Sequence, residues 1–137
     1  MSSNRELGKR LIAEAGKILR WELKTAVKNK DWNLAVRRSQ EVVELSLKGA
    51  LKMLGIDFPK VHDVGMIFLN GAKEKGAPLS EDALTKIQQG SKWLAEARAP
   101  AFYVERNYSK EDASKARQDA LFILRAIKSA MLKNTRK

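Results

Sequence analysis

A chain of 137 residues carries 27 lysines and arginines against 16 aspartates and glutamates, a net charge of +11, with 44% hydrophobic residues. This suits one domain spanning 1–137 that buries roughly two-thirds of its unfolded surface, and it argues against disorder. Zero cysteines exclude disulfides, thiolate metal sites and cysteine nucleophiles, and no run nears the roughly 20 apolar residues of a membrane span, so a cytoplasmic protein without a membrane partner is expected.

The opening segment predicts a helix from about Asn4 to Lys28. At about 100° per residue, Arg10, Lys17, Arg20, Lys24 and Lys28 fall on one ridge of it, away from Leu11, Ala15 and Ile18. Such a stripe can follow a phosphate backbone, with Trp21 beside it to stack on a base; a merely solvated face is the other reading. Glu22 projects into the apolar arc and needs a partner there.

Asp31 is placed to cap a second helix, which carries Trp32, Val36, Ser39, Val43, Leu47, Ala50 and Leu54 at helical spacing and ends at Gly55. Pro59 breaks the pattern, and a short third helix begins in "HDVGMIFLN" with Val64, Ile67 and Phe68 on one face. His62, the only histidine, stands at or just before that helix start, where it can cap or hydrogen-bond to Asp63; one histidine with one neighbouring carboxylate is a weak acid–base signal. Ser80 caps a fourth helix running to about Arg98.

Arg98 continues the apolar line of Ile87, Ser91 and Leu94, so it points inward just before Pro100 is expected to end the helix. Two explanations stand: a structural ion pair between Glu22 and Arg98, or an arginine lining a crevice for an anionic ligand. Phe102, Tyr103 and Tyr108 would cover the open end of the bundle, with Arg106 at the rim. "SKED" (Ser109 to Asp112) reads as a capping box for a fifth helix, faced inward by Ala113, Ala116, Ala120, Leu124, Ile127 and Met131, with "KNTRK" as a frayed basic tail. The sum is an all-α, antiparallel up-and-down bundle of about five helices. No phosphate-loop spacing or metal-ligand spacing is present, so neither a cofactor nor a metal is expected. Trp32, Ala35, Val42 and Phe122 are candidates for subunit contact.

From "DWNLAVRRSQEVVELSLKGALKMLGIDFPKVHDVG" onward the chain resembles a HEPN domain. The resemblance rests on the helix "SQEVVELSLKGALKMLG", on Pro59, Val61, His62, Asp63 and Val64 in "FPKVHDV", and on "ARAPAFYVERNYSKEDASKA", in the order the family uses. It implies a helical bundle associated with nucleotides or RNA, commonly a homodimer, and often a partner of a minimal nucleotidyltransferase in a toxin–antitoxin or defence pair. The RNA-cutting branch sets an arginine ahead of a histidine with about four to six residues between them. Here Gly55, Ile56 and Asp57 hold those positions before His62, so no catalytic residue is assigned.

The leading expectation is therefore a non-catalytic protein that binds a nucleotide or RNA through Arg98, Tyr103, Arg106, Tyr108 and His62. A divergent metal-independent ribonuclease using His62, and a basic module that docks an acidic protein, are the alternatives.

Overall fold

The computed structural model describes residues 3–132, and no strand occurs among them. Helix α1 comprises Asn4–Lys17, a π turn at Ile18–Leu23 and a last segment at Lys24–Lys28. Helix α2 is Trp32–Leu54, α3 is Gly65–Lys75, α4 is Glu81–Phe102 and α5 is Lys110–Leu132. The chain is thus an all-α bundle, and the basic tail expected at "KNTRK" lies outside the described residues.

Short polar side chains start these helices as their positions require. Asp31 Oδ1 accepts from the Leu34 amide at 3.2 Å, and Ser80 Oγ from the Ala83 amide at 3.1 Å. At α5 the capping box closes in both directions: the Ser109 amide donates to Asp112 Oδ2 at 2.9 Å, and the Asp112 amide to Ser109 Oγ at 3.1 Å. The bond from the Ser109 backbone, helped by the Ser109 side chain and the Arg106 charge, outweighs the effect of burial and holds the Asp112 carboxyl below its ordinary range. Gly55, at φ 73°, stops α2 in the left-handed conformation that other residues avoid.

Helix α2 is the hub and touches each of the other four helices. Its apolar residues occupy a wide arc rather than one stripe, and Ala35, Val36, Val42, Val43, Leu47, Ala50 and Leu51 are all buried. Ala35 and Val42 are therefore core residues of the protomer, not the subunit contacts expected of them, because neighbours surround this helix. Trp32 and Phe122 are half-buried. The start of α1 runs against the end of α2, which makes the pair antiparallel. A Cβ on Gly8 would collide with the Gly49 carbonyl oxygen, and one on Gly49 would stand 2.7 Å from the Gly8 carbonyl oxygen. Two glycines let the backbones meet there.

The π turn changes what α1 presents. Ile18 and Leu23, five positions apart, both face the core, at 7% and 0% exposure. An uninterrupted α-helix places Glu22 inward, as expected from the sequence; the wider turn gives that place to Leu23 and turns Glu22 out, its side chain 54% exposed. Helix α4 also departs from expectation. It does not end at Arg98 but carries Pro100 inside its last turn and stops at Phe102. The missing proline N–H removes one bond, to the carbonyl of exposed Glu96, too near the helix end to break it.

Candidate functional site

A chain of polar side chains crosses the middle of α2. Buried Gln40 uses both ends of its amide: its Oε1 accepts from Arg98 Nη1 at 2.7 Å, and its Nε2 donates to Glu44 Oε1 at 2.9 Å. Arg98 Nη1 also reaches Glu41 Oε2 at 3.1 Å. Glu41 in turn receives Arg38 Nη1 at 3.0 Å, and Arg38 Nε lies 3.0 Å from Glu22 Oε1. That last contact is an ion pair without hydrogen-bond alignment, since Arg38 Nε is buried and makes no hydrogen bond. The expected Glu22–Arg98 pair is not formed. With Glu22 turned out by the π turn, each residue has another partner, Arg38 for one and Gln40 with Glu41 for the other.

Glu44 gathers three donors. Besides Gln40, Lys48 Nζ approaches Oε2 at 2.8 Å and His62 Nδ1 approaches Oε1 at 2.8 Å. Burial pushes the Glu44 carboxyl up, but the hydrogen bonds from Gln40, Lys48 and His62, with the Lys48 charge, outweigh it and leave the carboxyl below its ordinary range. An ionised carboxylate only accepts, so His62 Nδ1 carries the proton. His62 thus pairs with Glu44 and not with neighbouring Asp63, whose Oδ1 receives the Gly65 amide at 2.9 Å and Ser91 Oγ at 2.7 Å.

Above this chain opens a cleft of about 320 Å³, lined by His62, Ala95, Arg98, Ala99, Phe102 and Tyr103. Its rings are exposed, Phe102 at 53% and Tyr103 at 68%, and they meet edge to face at 4.9 Å between centroids. Arg37 places its guanidinium 4.7 Å from the Phe102 ring centroid, with a buried Nε that makes no hydrogen bond. His62, Arg98 and Tyr103, three of the expected binding residues, therefore share one cavity.

Arg106 and Tyr108 do not join them. They line a second cleft, of about 440 Å³, with Trp93, Pro100, Asp112 and Lys115. Arg106 stacks on the Tyr108 ring at 4.8 Å and lies 3.9 Å from Asp112. Tyr108 is only 8% exposed, and its hydroxyl points inward to the Ala97 carbonyl, at 3.5 Å. Burial pushes the Tyr108 hydroxyl above its ordinary range, against a smaller opposing pull from Arg106. The loop folds inward because Asn33 clamps it: Nδ2 donates to the carbonyls of Ala101 at 3.2 Å and Arg106 at 2.9 Å, and Oδ1 accepts from the Tyr108 amide at 2.9 Å. In between, Val104 is held at φ 55° and 66% exposed.

The stripe residues Arg10, Lys17, Arg20, Lys24 and Lys28 are all exposed. Lys17 lies 3.8 Å from Glu14, and Arg20 stacks 5.7 Å from the Trp21 ring centroid. Trp21 is 63% exposed rather than folded onto the bundle. Sequence reasoning passed over Asn33, Arg37, Arg38, Gln40, Glu41 and Glu44. For all but Asn33 the signal is present in "RRSQEVVE", which sets polar residues on the flank of a helix apolar over most of its girth.

Among the described residues no cluster of histidine and carboxylate side chains is suited to a metal ion. No curated protein and no solved structure matches the chain. A family model, the HEPN domain, matches residues 9–130, nearly the whole bundle. With that match over the helices just described, the chain belongs to the HEPN domain family of nucleotide- and RNA-associated helical domains.

Proposed function

We propose that this HEPN protein binds a nucleotide, free or at the end of an RNA chain, in the cleft of Arg98, His62, Phe102 and Tyr103, and does so without catalysis. One observation carries the reading: an arginine from α4 and a histidine from the loop before α3 converge on a cavity whose wall includes two exposed rings. A guanidinium pairs well with a phosphate, and an exposed ring stacks a base. The cavity, about 320 Å³, is at the lower end of the range for small-ligand sites. Arg37, beside Phe102, adds positive charge at the rim.

By kinship, the protein acts as a homodimer with a minimal nucleotidyltransferase partner in a toxin–antitoxin or defence pair. Calorimetric titration with nucleoside mono-, di- and triphosphates tests the binding. Wild type takes up at least one of them, while Arg98→Gln and Tyr103→Ala weaken it by tenfold or more. No heat and no thermal stabilisation at millimolar ligand would overturn the reading.

One observation favours a second reading, a divergent ribonuclease. Glu44 holds His62 Nδ1 at 2.8 Å, the arrangement by which a carboxylate orients an acid–base imidazole, and Arg98 shares the cleft. Labelled RNA incubated with wild type and with His62→Ala separates the two: cleavage lost in the variant supports the enzyme, and equal or absent cleavage removes it.

A further inference from the structure

The acids of this protein are unevenly spent. Glu22, Glu41 and Glu44 neutralise Arg38, Arg98 and Lys48 along α2, and Asp112 and Asp119 serve Arg106 and Lys115. Where the π turn of α1 faces α5, Arg20, Lys24 and Arg117 stand together, with Lys128 beside Arg20. Among the described residues no carboxylate lies within 4.0 Å of any of the four. Two of them crowd one spot: Arg20 Nη1 lies 2.9 Å and Lys128 Nζ 3.7 Å from where a Cβ on buried Gly16 would stand. Like charges at that range repel, and an anion between them reverses the sign of the interaction.

Here too is an open groove of about 540 Å³, lined by Leu19, Arg20, Trp21, Lys24, Thr25 and Arg117. Trp21, 63% exposed, forms the ridge between this groove and a neighbouring cleft that includes Glu22 and Arg38. The π turn makes the arrangement, because it sends Leu23 inward and leaves the indole outside.

We propose that this groove is a track for single-stranded RNA, with Arg20, Lys24, Arg117 and Lys128 on successive phosphates and one base stacked on Trp21. An extended polyanion matches cations contributed by two helices better than a single phosphate does. An exposed indole beside them requires an unpaired base, which a duplex does not offer. RNA is chosen because the inference rests on the reading of this HEPN chain as RNA-associated, yet the track is distinct from the Arg98 cleft and uses none of its residues.

The test is fluorescence anisotropy of a labelled oligouridylate of about ten nucleotides with the full chain, at several salt concentrations. Arg20→Gln with Arg117→Gln weakens binding at least tenfold and lowers the salt slope by about one to two, since each lost contact removes roughly one released counterion. Trp21→Ala weakens it at least fivefold with the salt slope unchanged. Lys75→Gln with Lys92→Gln, the same loss of charge elsewhere, changes affinity less than threefold. Arg98→Gln weakens uptake of mononucleotide tenfold or more but changes strand affinity less than threefold, since the track holds the body of the strand and not its end, so this proposal and the cleft reading fail separately. Equal weakening by the groove pair and the control pair overturns the proposal. So does equal affinity for the matching DNA strand or tighter binding of an acidic peptide. Arg20, Trp21, Lys75, Lys92 and Arg117 are exposed and Arg98 is half-buried, and unchanged melting curves verify that the variants fold.

Discussion

Arg98 is anchored on Gln40: its Nη1 donates to the Oε1 of that buried amide at 2.7 Å, while the other end of the same amide holds Glu44. Gln40 is 2% exposed, so neither partner group can turn to water through it. Replacing it by leucine takes one acceptor from Arg98 and one donor from Glu44. Gln40→Leu is expected to lower the unfolding free energy by about 1–3 kcal/mol. Urea denaturation measures it, and a neutral result would show that the amide contributes only shape.

Asn33 gives a second prediction. Its side chain ties α2 to both sides of the loop before α5, through Ala101, Arg106 and Tyr108. Asn33→Ala is expected to cost about 2 kcal/mol, from net hydrogen bonds of roughly 0.5–1.5 kcal/mol each. Amide exchange at Tyr108 rises with it, while exchange in the middle of α5 follows only the global loss.

Val104 is a β-branched residue in the left-handed region, at φ 55°. That conformation costs roughly 1–2 kcal/mol for a residue with a Cβ, and glycine gives back about 0.5–1 kcal/mol through the entropy of the unfolded chain. Val104→Gly should therefore raise stability by up to about 1 kcal/mol, read as a rise in melting temperature. A clear loss would mean that the isopropyl group does something its 66% exposure does not reveal.

Gly8 and Gly49 test the crossing of α1 and α2. An alanine at Gly8 meets a backbone carbonyl and the Met53 side chain, and a carbonyl cannot rotate aside as a side-chain tip can. Gly8→Ala is expected to destabilise by about 1–3 kcal/mol. Alanine at Gly76, where nothing lies within 4 Å but φ is 68°, separates conformational strain from collision.

Glu44 sets a dependence on pH. Its carboxyl is lowered in the folded state because the hydrogen bonds and charge around it outweigh burial. A lowered carboxyl contributes stability that is present above the ordinary glutamate value, about 4.3, and is lost as pH falls through the folded value. The stability difference between wild type and Glu44→Gln is therefore largest near neutrality and narrows below about pH 4.3. A difference that stays constant from pH 6 to 3 would contradict the role given to ionisation.

How far the sequence reaches depends on the distance of each partner. Asp31, Ser80, Ser109 and Gly55 act on residues within four positions, and their roles are legible from the letters alone. Arg98 is legible as an inward arginine, because α4 keeps a regular period up to it. Its partners are not, since Gln40 lies 58 positions away. Glu22 shows the opposite failure. A projection at constant pitch points its carboxylate across the bundle, because it ignores the extra residue that the π turn admits. Tyr108 is drawn inward by Asn33, 75 positions off, which parts it from Phe102 and Tyr103, with which the sequence groups it over the end of the bundle.

The shared carboxylate of Glu41 has one more consequence. It serves Arg98 of α4 and Arg38 of its own helix together, and Arg38 also holds Glu22 of α1. A phosphate that recruits the Arg98 guanidinium competes for half of that arrangement and leaves Glu41 to Arg38. Whatever this exchange adds to or takes from the docking of the first helix, the docking must return in equal measure to the affinity of the cleft, for a thermodynamic cycle has no preferred direction.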